Sequence, residues 1–272
     1  MSIKEEWVHY GEGTGYFAVP AHAAGPLPGV LVIQEIGGVN RHIEEVTRRV
    51  AAAGYAALAP DLYSQNGQRP AALSATRISE AFAFGATQPP GAMFDPAARE
   101  AAMARLPEAE RARIGETFGR MFSFARPGST EGLMPLLRRA YTYLREERQE
   151  SRGQRVGCVG YCMGGGLAAL LACEEPQLSA AVVYYGMTPA EDKVRKVACP
   201  VLAFYGEKDQ RVNAGIPAFQ KGMEEAGAPY EHHVYPGAGH AFFNDDSPGY
   251  NVAAARDSFV RTLAFFNRTL AG

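Results

Sequence analysis

An apolar run, Arg155 to Val159, leads into Gly160-Tyr161-Cys162-Met163-Gly164. Gly165, Gly166 and an Ala/Leu stretch from Leu167 to Ala172 follow. Strand, tight turn and helix in that order are the setting of a nucleophile elbow, here with cysteine where serine usually sits. Glycine at 160 and 164 matters because a strained turn of this kind leaves no room for Cβ atoms on either side. The motif therefore constrains the fold as well as the chemistry: it needs a sheet strand ending at the turn and a helix starting from it.

The rest of the chain supplies such a sheet. Trp7 to Pro20 carries alternating and aromatic residues broken by Gly11, Gly13 and Gly15, which predicts a short β-hairpin at a sheet edge. Val30 to Gln34 reads as a buried strand closed by Gly37-Gly38. Ile43, Val46 and Val50 give Arg41 to Ala53 helical spacing, and Tyr55 to Ala59 is the next strand, ended by Pro60 and Asp61. Further on, the pattern predicts a helix over Thr130 to Glu147, strands at 155–159, 179–184, 200–205 and 230–235, and helices at 163–173, 214–226 and 252–270. Short apolar strands alternating with amphipathic helices imply an α/β fold with a mostly parallel sheet covered on both faces.

Residues 64–130 break this rhythm. They are rich in Ala, Arg, Pro, Gly and Met, show no clear strand, and suggest short helices over Ser74 to Phe84, Pro96 to Met103 and Glu108 to Phe124. Such a helical insertion either forms a lid over a pocket or sits at the periphery with no part in the chemistry. With no internal repeat and no low-complexity linker, residues 1–272 read as a single domain.

A cysteine nucleophile attacks as the thiolate, and the N-terminal end of the helix starting at Met163 favours negative charge there. It also needs a base, and an acid to orient that base. Asp209 lies just past the C-terminal end of one predicted strand, in Tyr205-Gly206-Glu207-Lys208-Asp209, and His240 follows the next, after Pro236-Gly237-Ala238-Gly239. In a parallel sheet both loops converge on the edge that carries the elbow. The order nucleophile, acid, histidine is that of α/β-hydrolases, and the chymotrypsin and subtilisin orders differ from it. Glu207 is a competing acid. Tyr184 and Tyr185, at the end of a strand, are candidates for lining a substrate pocket or for packing alone.

Other readings are weaker. A formal charge of −2 with no long basic stripe gives no reason to expect nucleic acid. No apolar stretch reaches about 18 residues, so no membrane span is expected. The start, Met1-Ser2-Ile3-Lys4-Glu5-Glu6, lacks a basic and apolar leader. The four cysteines, Cys158, Cys162, Cys173 and Cys199, show no paired zinc spacing and are expected as thiols in a reducing cytoplasm. Gly164-Gly165-Gly166 lacks the P-loop lysine, and His232 and His233, adjacent on a strand, face opposite ways. No metal and no organic cofactor is expected.

With the elbow, Asp209 and His240 in place, the chain resembles the dienelactone hydrolase family over residues 28–270. The resemblance is carried by Val32 to Asn40 (VIQEIGGVN), Gly54-Tyr55 with Ala59 to Tyr63 (APDLY), Val159 to Gly165 (VGYCMGG) and Tyr184-Tyr185-Gly186. It implies an α/β-hydrolase fold and a hydrolase acting on carboxylic ester or lactone bonds. It also implies a role for Glu35, which in this family contacts the cysteine and takes its proton when substrate binds. A resting thiol of that kind resists oxidation better than a permanent thiolate. The family's best-known members hold a substrate carboxylate with two arginines, one of them four residues after the histidine. That position here is Asn244, and the other arginine would fall within 64–130, where Arg69, Arg77, Arg111, Arg113 and Arg120 are the candidates. Backbone N–H groups of Ile36 and Met163, each directly after a site residue, are placed to receive the oxyanion.

The expectation is thus a small-molecule ester or lactone hydrolase, a monomer or small homo-oligomer, that works through Cys162, His240 and Asp209 and a thioester. The alternatives are a broad carboxylesterase or thioesterase on the same fold, and a non-catalytic binding protein.

Overall fold

The computed structural model describes residues 2–89, 91–93, 95–124 and 132–271. Its centre is an eight-stranded sheet in the order β1-β2-β4-β3-β5-β6-β7-β8. Strands β1 (Ile3–Tyr10) and β2 (Gly13–Pro20) form the expected antiparallel hairpin at one edge, and β2 also runs antiparallel to β4 (Ala56–Pro60). From β4 onward all pairings are parallel, through β3 (Gly29–Ile33), β5 (Val156–Tyr161), β6 (Ala180–Tyr184), β7 (Val201–Gly206) and β8 (Tyr230–Tyr235). The central parallel strands are buried along their whole length, as strands covered on both faces must be.

Helices cover both faces. On one side, α1 (Arg41–Ala52) and the C-terminal α10 (Val252–Leu270) contribute Ile43, Val46, Val50, Ala254 and Phe266 to a core shared with Val30, Val32, Val159 and Val182. On the other, α5 (Met134–Thr142), α6 (Met163–Glu174) and α9 (Ile216–Ala226) pack Leu137, Leu167, Leu171 and Phe219 against Leu31, Ile33, Cys158 and Val183. Helix α6 has no polar face: it is built from Gly, Ala and Leu and is buried almost all round, so its stability comes from tertiary packing. Asn40 caps α1 by accepting from the Ile43 N–H at 3.1 Å.

The helix expected over Thr130 to Glu147 starts at Met134 and finishes as a π-helical turn, Tyr143–Glu147; Thr130 lies outside the described residues. Two one-turn helices escaped the periodicity reading, α7 (Glu191–Val194) and α8 (Gln210–Asn213), because four residues are too few to show a period. Between β4 and α5 the insertion forms α2 (Ala75–Ala86), α3 (Pro96–Met103) and α4 (Glu108–Ser123). It does not stand apart from the sheet. Leu73, Ile78 and Met121 join Tyr63 in a small core against which Ile36 and Phe124 pack. Among the described residues, no helix is long and apolar enough to cross a membrane.

Parallel strands send their C-terminal ends to one edge. Residues after β3 (Glu35, Ile36), β5 (Cys162, Met163), β6 (Tyr185), β7 (Asp209) and β8 (His240, Asn244) therefore converge there.

Candidate active site

Cys162 stands between β5 and α6 with φ +55° and ψ −114°, a backbone conformation that side chains other than glycine rarely adopt. The surroundings over-determine it. Its N–H donates to the Tyr184 carbonyl at 3.0 Å, and its carbonyl accepts from the Gly165 N–H at 3.0 Å. A Cβ on Gly160 would overlap the Gly164 carbonyl, and one on Gly164 would overlap the Ile33 carbonyl. The first turn of α6 thus lies directly on the Ile33 and Gln34 carbonyls at the end of β3. Met163 opens the helix, so its N–H has no intrahelical acceptor.

A hydrogen-bonded chain runs away from the thiol. His240 Nε2 lies 3.1 Å from Cys162 Sγ, and His240 Nδ1 lies 2.5 Å from Asp209 Oδ2. The loops that carry these groups touch at Gly206, where a Cβ would come within 2.5 Å of the Gly239 carbonyl oxygen. Burial pushes the His240 imidazole down, but its hydrogen bonds to Asp209 and Cys162 outweigh it and raise its pKa to about 10. Glu207, the competing acid, is exposed, and its carboxylate accepts from the Gly237 N–H at 2.8 Å; it braces the loop and leaves the imidazole to Asp209.

Glu35 is buried, at 8% exposure, and its carboxylate is held by two neutral donors. The Tyr185 hydroxyl donates to Oε1 at 3.2 Å and the Asn244 amide to Oε2 at 2.7 Å. The thiol's hydrogen-bond partner is His240, whereas both Glu35 oxygens are occupied elsewhere. Burial and the Glu35 charge raise the Tyr185 hydroxyl well above its ordinary range, so it stays a proton donor. Asn244 is fixed through its neighbours: Asp245 pairs with Arg49 at 2.7 Å and with His42 Nδ1 at 3.1 Å, and Asp246 pairs with Arg41. Three consecutive side chains thereby tie the segment after His240 both to Glu35 and to α1.

Adjacent tyrosines separate cleanly. Tyr185 comes to the site, with φ +39° and its ring centred 5.1 Å from that of His240. Tyr184 does not: it is fully buried, its ring lies 4.7 Å from that of Tyr161, and its hydroxyl bonds to Thr262 Oγ1 at 2.8 Å. Three of the five candidate arginines of the insertion, Arg69, Arg77 and Arg113, have internal partners. Arg69 pairs with the buried Asp61 at 2.6 Å and donates to the Val39 carbonyl at 2.9 Å; Arg77 pairs with Glu116, and Arg113 with Glu80. Tyr63 is a site residue that the sequence did not single out. Its hydroxyl donates to the Ile36 carbonyl at 2.6 Å and so orients the peptide that precedes Gly37.

Chemically, the arrangement can pass a proton between a thiol and an imidazole and hold the imidazolium with a carboxylate. Comparison with known proteins gives the family. The model of the dienelactone hydrolase family matches residues 14–270. A Saccharolobus solfataricus protein named "Putative carboxymethylenebutenolidase" is 32% identical over 98% of this chain and 99% of its own length. A Yersinia pestis protein of the same name is 29% identical over 98% and 91%. The crystal structure of a dienelactone hydrolase-type protein from Klebsiella pneumoniae superposes with a TM-score of 0.70 at 26% identity, covering 98% of this chain and all of that one. The chain is an α/β hydrolase and belongs to the dienelactone hydrolase family.

Proposed function

We propose that the protein hydrolyses carboxylic ester or lactone bonds of small molecules, with Cys162 as nucleophile and His240 and Asp209 as its base and orienting acid. The observation that supports this best is the unbroken relay Asp209–His240–Cys162 on an elbow whose flanking positions admit only glycine. His240 holds, as imidazolium, the proton given up by the Cys162 thiol, and the sulfur attacks the carbonyl carbon to form a C–S bond. Negative charge moves to the carbonyl oxygen, where the N–H groups of Met163 and Ile36 receive it. Collapse breaks the C–O bond, and the leaving alkoxide takes the proton from the imidazolium. A thioester on Cys162 remains.

Water completes the cycle. In the thioester the sulfur carries no charge, so the Cys162 contributions that raise His240 are lost, those of Asp209 remain, and burial still pulls the imidazole down. The imidazole then becomes a neutral base able to deprotonate water. Attack on the thioester and expulsion of the sulfur release the acid and restore the relay. Glu35 serves as a fixed negative charge beside these steps, and no metal or organic cofactor takes part in them.

Turnover of a small aryl ester by Cys162→Ala tests the reading. Hydrolysis falls by about 10⁴-fold or more while the circular dichroism spectrum is kept. Unchanged turnover in that variant would sink the assignment.

A further inference from the structure

Three features of the site bear on which acyl group it accepts. The first is the charge at Glu35. A buried carboxylate is normally met by a cation or by several donors. This one is met by an amide and a phenol, which satisfy its hydrogen bonds and leave its charge uncompensated. The second is where the cations are. On the loops that carry Glu35, Cys162, Asp209 and His240, the basic residues are Lys208 and Arg211. Both flank Asp209 in sequence, and Asp209 holds the Nδ1 edge of the imidazole, whereas Cys162 meets Nε2. Arg69, whose guanidinium would lie 3.3 Å from a Cβ on Gly38, is turned to Asp61 and the Val39 carbonyl.

The third is the apolar rim. Phe82 and Met187 are large apolar side chains left 41% and 49% exposed. Phe82 lies 3.1 Å from where a Cβ would sit on Gly37, next to Ile36. The Met187 Cβ lies 3.9 Å from the corresponding point on Gly166, in the first turn of α6. Ile36 and Met163 are themselves only partly buried. Large apolar side chains left exposed next to the segments that carry a reactive centre mark a binding surface more often than chance exposure does.

We propose that the acyl group taken by Cys162 is uncharged and apolar, and that Asn244, by holding Glu35 with a neutral amide, sets this preference. The inference rests on the hydrolase reading above and narrows it to a substrate class. A carboxylate on the acyl chain would meet the Glu35 charge in a site where screening is weak. An alkyl chain would instead gain contact with Phe82 and Met187.

Two p-nitrophenyl esters of matched length separate the cases: the butyrate, which is neutral, and the hydrogen succinate, which carries a carboxylate. At low ionic strength the wild-type protein is expected to favour the butyrate in kcat/KM by about tenfold or more. Asn244→Arg, which sets a guanidinium beside Glu35, should narrow that ratio by raising kcat/KM for the succinate ester. Phe82→Ala should raise KM for the butyrate and leave kcat within about twofold, as loss of uniform binding does. Equal or faster turnover of the succinate ester by the wild type overturns the inference and leaves the hydrolase reading standing. An unchanged ratio in Asn244→Arg, with the fold intact by circular dichroism, removes Asn244 as its cause. No turnover of either ester, with no acyl mass on Cys162, overturns the hydrolase reading and this inference with it.

Discussion

Asp209 and Glu35 stand at the same edge of the sheet and are held in opposite ways. Asp209 meets an imidazole at 2.5 Å, a partner that can gain or lose a proton. Glu35 meets a phenol and an amide, neither of which ionises under ordinary conditions. On the proposed mechanism the first carboxylate is therefore coupled to the proton that moves, and the second stands outside the relay. Two acids of similar burial in one site take different parts because of what donates to them rather than because of where they lie.

This contrast can be broken experimentally. Asp209→Asn should have the largest effect, lowering kcat for a neutral aryl ester by roughly 10³-fold, because the ring loses its tautomeric anchor. The same change should lower the His240 pKa from about 10, measured by NMR titration. The sign of the linked stability follows. A histidine raised when folded contributes stability that is fully present below its unfolded value near 6.5 and is lost as pH climbs through about 10. Denaturant midpoints of the wild type should therefore fall across that window, and those of Asp209→Asn should fall less. A parallel fall in both proteins would show that the Asp209 contact is not what raises the ring.

Tyr185→Phe should come next, with a loss of about 1–3 kcal/mol in urea unfolding, the cost of leaving one oxygen of a buried carboxylate without its donor. An unaltered midpoint would mean that Glu35 is solvated rather than held. The smallest effect is expected for Glu35→Gln. As a standing charge, its removal should change neutral-ester kcat/KM by no more than about tenfold while improving relative turnover of the anionic ester. A loss as deep as that of Asp209→Asn would instead make Glu35 a partner in proton transfer and erase the distinction.

Much of this could be read from the chain alone, for a physical reason. Parallel strands deliver whatever follows them to one edge, so recognising the strands before Cys162, Asp209 and His240 was enough to bring the three residues together. The paired glycines at 160 and 164 announced the tight turn because no other residue fits there. The partners of Glu35 were harder to see. Tyr184 and Tyr185 look alike in sequence, yet the chain leaves strand geometry between them, at φ +39°, and with both rings buried sends one hydroxyl to Thr262 and the other to Glu35. A reading based on periodicity carries no signal for that break. Asn244 marked a departure, but its contact with Glu35 depends on Asp245 and Asp246 reaching α1, some 200 residues back along the chain. Tyr63 was hidden for the same reason: its role lies in a hydrogen bond to a backbone carbonyl 27 residues away.

The arrangement of thiols has a practical consequence. Cys158, Cys173 and Cys199 are buried, and burial pushes the first far up and the other two to about 12. Cys162 alone among the four is partly open to solvent. A dilute alkylating or disulfide reagent at neutral pH should therefore find one reactive sulfur per folded chain. The molecule thus carries its own stoichiometric marker: the moles of reagent consumed count competent sites directly, and any second equivalent counts chains that have opened.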